Sequence, residues 1–360
     1  MIIVTKLVPI SGVRSPLWYD LWPWSGSLQS GEPSRQVSFP VGKVSFMDLH
    51  PMSFREFLSA MGRPRYASLL DETSLEPLPD AIHTELVDLL RKYYFTGGMP
   101  EAVRHFAETS DVAATREIHR EILDAYVLDF AKHAPGPEIP KLGLIWDSIP
   151  RLLAKENKKF VFAAVQKGAR AREYENALRW LHDAGLVHLC HAVSTGRGPL
   201  SYYADRSCFK VFGLDVGLLG AMTGVPSEFV VQGERLFTEY RGALAESYVA
   251  QQLVAAGHQD LYYWRSPGGK AELDFLCEIG PTIVPVEVKA GLSLRSKSLK
   301  SYDEQHAPPV LVRANLLNLK RDGKICNVPL YAVSWLSRRP AAICVWDLDT
   351  ASSEGGKWTR

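Results

Sequence analysis

The pattern of apolar and polar positions changes character along this chain. Residues 1–40 hold no sustained period. LWYDLWPWSGSLQSGEPSRQ sets tryptophans among prolines and glycines, which predicts short strands and loops that order against a partner or the next segment. From Val44 the pattern sharpens. VSFMDLH reads as a strand, Pro51 breaks it, and SFREFLSAMG predicts a helix opened by Ser53, with Glu56 three residues on as a capping box. Helical periods continue through AIHTELVDLLRKYYF. Gly97-Gly98 ends that helix, Pro100 opens the next, and REIHREILDAYVLDFAKH is another, before PGPEIPK marks a boundary.

From about Gly143 to Gly224 the order is three helices (LIWDSIPRLLAKE, NKKFVFAAVQKGA, RAREYENALRWLHDAG), then two strands (LVHLCHAV, SYYADRSCFKVFGLD) joined by the turn STGRGPL. This is the order of a winged helix. Basic residues concentrate here, with Lys158, Lys159, Lys167, Arg170, Arg172, Arg179 and Arg197 on the helices or wing tip. Such a patch can supply phosphate contacts, with Lys167, Arg170, Arg172 and Arg197 as the DNA-binding candidates, or it is a solvated face on a helical spacer. A third block, from about Gln232 to Leu336, starts with the helix ERLFTEYRGALAESYVAQQLVAAG. Strands LYYWRS, ELDFLCEI and IVPVEVKA follow, then helix SLKSYDEQH, strand PPVLVRAN, and VPLYAVSWL as a final strand or helix start. The tail ASSEGGKWTR is expected to be disordered.

Composition narrows the class. With 46% hydrophobic and 22% charged residues the 360-residue chain reads as soluble, globular and long enough for two or three domains. A net charge of +1 makes any nucleic-acid surface local. The five cysteines form no Cys-x-x-Cys pair, so neither a zinc site nor a disulfide scaffold is indicated, which suits the cytoplasm. The apolar N-terminus is short and broken by Lys6, so neither a signal peptide nor a membrane span is expected.

The hairpin ELDFLCEIGPTIVPVEVKAG carries acids inside apolar runs. With Gly280-Pro281 as a two-residue loop, Ile279 pairs Thr282 and Asp274 falls opposite Glu287, on the face shared by Glu272 and Lys289. Opposed carboxylates need neutralising, and a divalent cation with a preference for hard oxygen ligands, magnesium, would do so. Glu246 lies on an apolar helical stripe with Gly242, Ala243, Val249, Ala250 and Leu253, where a lone charge is costly. The alternatives are a shared metal site or a rim position beside Arg241.

Glu246 on a helix, Asp274 on a strand and Glu287-Val288-Lys289 twelve residues later resemble the PD-(D/E)xK nuclease-like superfamily, although Leu273 stands where the proline would be. The resemblance implies Asp274 and Glu287 as magnesium ligands, and Lys289 and Glu246 as catalytic residues that position the attacking water and support the metal. More widely, PMSFREFL, YYFTGGMPEAV, ENALRWLHDAGLV, CFKVFGLDVGLL, GALAESYVAQQL, YYWRS and VPVEVKAG, in this order, resemble uncharacterised prokaryotic AAA-type ATP-binding proteins with a C-terminal domain of unknown function. That family carries a Gly-x-x-x-x-Gly-Lys-Ser/Thr loop. Gly42-Lys43, Gly269-Lys270, Gly323-Lys324 and Gly356-Lys357 do not match it, so the backbone cradle for phosphates is missing and ATP is not expected to bind.

The expected architecture is multidomain α/β. It comprises a remnant of an ATPase core (1–50), a helical AAA-lid-like segment (51–136), a winged helix (137–225), a PD-(D/E)xK nuclease-like domain (232–345) and a tail (346–360). Three functions follow: a DNA-associated protein with a magnesium-dependent phosphodiesterase site, a non-catalytic DNA- or protein-binding regulatory module, or an ATP-binding protein by inheritance. The expected partners are DNA and an intact ATPase paralogue or other protein.

Overall fold

The computed structural model describes residues 48–71, 76–154, 159–224, 241–292 and 296–338. The expected ATPase remnant (but for 48–50), Lys158 and the tail lie outside them. Helices come first: α1 (Phe54–Ala60), α2 (Pro64–Leu69), α3 (Asp80–Thr96), α4 (Pro100–Thr109), α5 (Val112–His133), α6 (Ile139–Leu153), α7 (Phe162–Val165) and α8 (Ala171–Asp183). Then follow β1 (Val187–Val193), α9 (Leu200–Tyr203), β2 (Ala204–Gly213), α10 (Val216–Met222) and α11 (Arg241–Ala255). The chain continues through β3 (Leu261–Arg265), β4 (Glu272–Ile279), β5 (Thr282–Val288), α12 (Lys297–His306), β6 (Leu311–Asn315), β7 (Lys320–Asp322), β8 (Ile325–Pro329) and α13 (Trp335–Arg338).

Local signals act as expected where they are strong. Ser53 caps α1: its backbone N–H donates to Glu56 Oε2 at 2.7 Å and its hydroxyl accepts from the Glu56 N–H, so two orphan donors are satisfied reciprocally. Gly280 adopts φ 58° before a proline of fixed φ, as a two-residue type II′ loop requires, and Ile279 pairs Thr282. SYYADRSCFKVFGLD differs from the expectation, because its first residues form the one-turn helix α9 and only Ala204–Gly213 is strand.

All eight strands form one mixed sheet in the order β2-β1-β3-β4-β5-β6-β8-β7. The β1–β2 hairpin is therefore not a separate wing. Its strand β1 runs parallel to β3, pairing Cys190 with Leu261 and Val193 with Trp264, so the sheet crosses the boundary expected between residues 225 and 232. An edge strand presents unpaired N–H and C=O groups, and β3 covers that of β1. Helix α11 and the helical region cover one face in a large core that includes Tyr248, Val249, Val284, Val286 and Val288. Leu299 and Tyr302 of α12 cover the other, over Trp264, Leu273, Leu276 and Ile283. The central strand β5 is thus buried on both faces, and Glu287 is 5% exposed.

Three of the sequence motifs meet at Asp215, the N-cap of α10. Its carboxylate accepts from Gly98 N at 2.6 Å, Leu218 N at 3.0 Å and Gln251 Nε2 at 2.9 Å. Tyr93 Oη accepts from Gln251 and Gln252 and donates to Met52 O. Side chains at Gly97 or Gly98 would overlap Asp215 or the Met52 backbone, so this junction requires glycine. It anchors α11 at Gln251, about 7.5 Å along the axis from Glu246.

Candidate functional site

Lys210 is a buried cation of the sheet that pairs with one of the hairpin acids. It projects from β2, is 2% exposed, and its Nζ lies 2.9 Å from Glu272 Oε1 on β4 and 4.6 Å from the centre of the Tyr263 ring on β3. The ion pair therefore reaches over the two intervening strands β1 and β3. Burial disfavours the ammonium, but the charges of Glu246, Asp274 and Glu272 outweigh burial and hold the Lys210 pKa above its ordinary 10.5. Cys190, paired with Lys210 across the β1–β2 ladder, is held as a thiol by burial.

A bulge aims β4 at this cation. Between the pairs Tyr262↔Leu276 and Trp264↔Leu273, β3 advances two residues and β4 three. The extra residue falls at Asp274 or Phe275 and lets Asp274 join Glu272 in facing Lys210 while Leu273 packs under α12. On its other side β4 keeps the expected register with β5 up to Phe275↔Val286. One step further the carboxylates diverge. Asp274 Oδ2 accepts the Val288 N–H at 2.7 Å, and Glu287 Oε1 pairs with Lys289 Nζ at 2.7 Å.

Glu272 is thus paired with Lys210, whose ammonium the charges of Glu246 and Asp274 also favour, whereas Glu287 and Lys289 pair with each other. Among the described residues, no three His, Cys, Asp or Glu side chains are placed to hold a metal ion. As they stand, the residues do not fit the magnesium ion that the family resemblance implies, because no three carboxylates converge, although Glu287 Oε2 is buried without a hydrogen-bond partner.

Lys167, Arg170 and Arg172 are exposed, on a six-residue stretch that leads into the first turn of α8. Arg197 is exposed in the β1–α9 loop beside α12, where its charge, after burial, lowers the pKa of His306. Arg179 is paired with Asp183 at 3.8 Å.

The sequence reading missed two buried cations on the sheet. Lys210 is one. Arg313 on β6 is the other: it is 5% exposed, neighbours Glu287 in the parallel ladder, and donates to Ser296 Oγ at 2.7 Å and Asn327 Oδ1 at 3.0 Å. Each is a single charge inside an apolar strand run, CFKVFG or VLVRAN, and that interruption was the available signal.

Two family models match the chain. Residues 87–228 match a domain of unknown function (DUF8612), and residues 241–333 match another domain of unknown function (DUF4143). No curated protein and no solved structure matches the chain. Lys210 lies in the first matched segment, and Glu246, Glu272, Asp274, Glu287 and Lys289 lie in the second, so the Lys210–Glu272 ion pair joins two segments that family models describe separately.

Proposed function

We propose that this chain is a DNA-associated protein whose C-terminal unit is a nuclease-like domain that holds a nucleic-acid backbone without cutting it. The exposed trio Lys167, Arg170 and Arg172 carries this reading. The three residues open the third helix of a three-helix-plus-hairpin unit, the order of a winged helix, and make no ion pair among the described residues. Cations placed so are free to neutralise phosphates.

The nuclease-like part rests on element order. Helix α11, the antiparallel run β3–β5, helix α12 and the parallel strand β6 carry Glu246, Asp274 and Glu287-x-Lys289 at the positions the resemblance requires. Binding is favoured over magnesium-dependent phosphodiester cleavage because no three carboxylates among the described residues are placed to hold a metal ion. Domains of the type matched by residues 241–333 are commonly associated with AAA-type ATPases, which supports an ATPase paralogue as a partner. These residues contain no phosphate-cradling glycine loop, so the proposal assigns them no ATP site.

The test is duplex DNA affinity as a function of salt. Replacing Lys167, Arg170 and Arg172 with Ala is expected to flatten the slope of log affinity against log salt by about 0.9 for each phosphate that is no longer neutralised. An unchanged slope returns the trio to a solvated face. Cleavage products that appear with magnesium and vanish in Lys289→Ala would establish the catalytic reading instead.

A further inference from the structure

We propose that the α9 turn is a stacking platform for single-stranded nucleic acid, on which Tyr202 receives a base while Arg197 and Arg206 hold the adjoining phosphates. The inference rests on the DNA-associated reading above and names the strand form that this second surface takes.

The turn holds two rings outside the fold. Leu200 is fully buried in the core that includes Trp264 and Tyr302, and its backbone N–H donates to Glu278 Oε2 on β4 at 3.0 Å. The Tyr202 N–H donates to Pro199 O at 3.1 Å and closes the turn. The side chains that follow this anchor point the other way: Tyr202 is 80% exposed and Tyr203 42%. Their rings meet edge to face, with centres 5.1 Å apart and planes at 86°. Tyr203 thus props Tyr202, and at that exposure Tyr202 keeps a ring face open to a flat partner. A turn anchored two residues away at Leu200 has little left to order when a ligand arrives.

The charges beside the rings suit an anion. Arg197 stands two residues before Pro199, and Arg206 follows Tyr203 by three residues, within about 10 Å along the chain. Both are exposed and make no ion pair among the described residues. The acid next to Arg206 is turned away from it: Asp205 Oδ1 accepts from the Ser207 N–H at 2.9 Å and the Ser207 hydroxyl at 2.7 Å. An open aromatic face between guanidinium groups is the combination a single strand fits, because an unpaired base stacks on the ring and its phosphates meet the cations. A duplex offers no such base, since each is held inside the stack.

Anisotropy titrations with a labelled thymidine oligonucleotide of about 12 nucleotides, and with a duplex of the same length, test this. Tyr202→Ala is expected to weaken oligonucleotide binding about tenfold and duplex binding less than about twofold. Tyr202→Phe, which keeps the ring and loses only the hydroxyl, is expected to bind the oligonucleotide as wild type does. Arg197→Ala and Arg206→Ala are each expected to lower the salt slope for the oligonucleotide by about 0.7.

Equal weakening of both strand forms by Tyr202→Ala would overturn the proposal, as would a loss in Tyr202→Phe as large as that in Tyr202→Ala. So would oligonucleotide binding that Tyr202→Ala leaves unchanged while the duplex still depends on Lys167, Arg170 and Arg172, an outcome that keeps the DNA-associated reading. Binding of neither form would overturn both.

Discussion

Helix α11 is pinned to the rest of the molecule at two buried polar junctions that use opposite physics. At Asp215 a single carboxylate, 2% exposed, is surrounded by neutral donors: two backbone N–H groups and the Gln251 amide. At Lys210 a single ammonium, equally buried, pairs with the Glu272 carboxylate and is favoured by the charges of Glu246 and Asp274. The first junction is directional. Each donor has one place to point, and the glycines at 97 and 98 let the backbone approach it. The second is held by charge, over a ring face and from three elements, and tolerates looser geometry. The difference teaches that the acid of the GLDVGLL motif is an architectural cap, while Glu272, two residues before Asp274, depends on a cation from another strand.

The largest effect should come from breaking that dependence. Lys210→Ala breaks the Lys210–Glu272 ion pair at its buried end and should cost about 3 kcal/mol, whereas Asp215→Ala, which orphans neutral donors, should cost about 2 kcal/mol. Urea unfolding midpoints measure both. Equal losses would erase the distinction.

A smaller effect is expected from pH, next to the neutral junction. His119 is buried, its Nε2 donates to Thr96 O at 2.9 Å, and burial followed by the neighbouring Arg116 lowers its pKa from 6.5 to about 4. The unfolded chain takes up this proton first, so the His119 contribution is present above pH 6.5 and is lost as pH falls towards about 4. Between pH 6.5 and pH 5 this amounts to about 2 kcal/mol. His119→Gln should remove that slope from a plot of stability against pH, and an unchanged slope would place the acid sensitivity elsewhere.

The smallest effect sharpens the asymmetry of the charged junction. Asp274→Asn keeps an oxygen for the Val288 N–H and leaves Lys210 with Glu246 and Glu272, so stability should change by no more than about 1 kcal/mol. A loss as large as that of Lys210→Ala would mean that Asp274 alone holds the ammonium.

Much of this was legible residue by residue. Ser53 and Glu56 specify a helix start, the helix-helix-helix-hairpin order follows from periodicity, and Gly280-Pro281 sets the β4–β5 register that carries Asp274 towards Glu287. These signals are local, because each depends on dihedral preference or side-chain spacing within a few residues. The oddity of Glu246 on an apolar stripe was also visible, and it correctly marked a buried charge that needs a neighbour.

What satisfies that charge was not legible. Lys210 precedes Glu246 by 36 positions and Asp274 by 64, and nothing in CFKVFG names its partners. The β1–β3 pairing brings them together, and alternation within a strand says which residues share a face but not which strand lies alongside. The sequence by itself determined the elements, the hairpin register and the presence of buried charge. Only the tertiary structure decided that the counter-charge is a lysine, because electrostatic neutrality in a core is settled by whichever groups the sheet order places within reach.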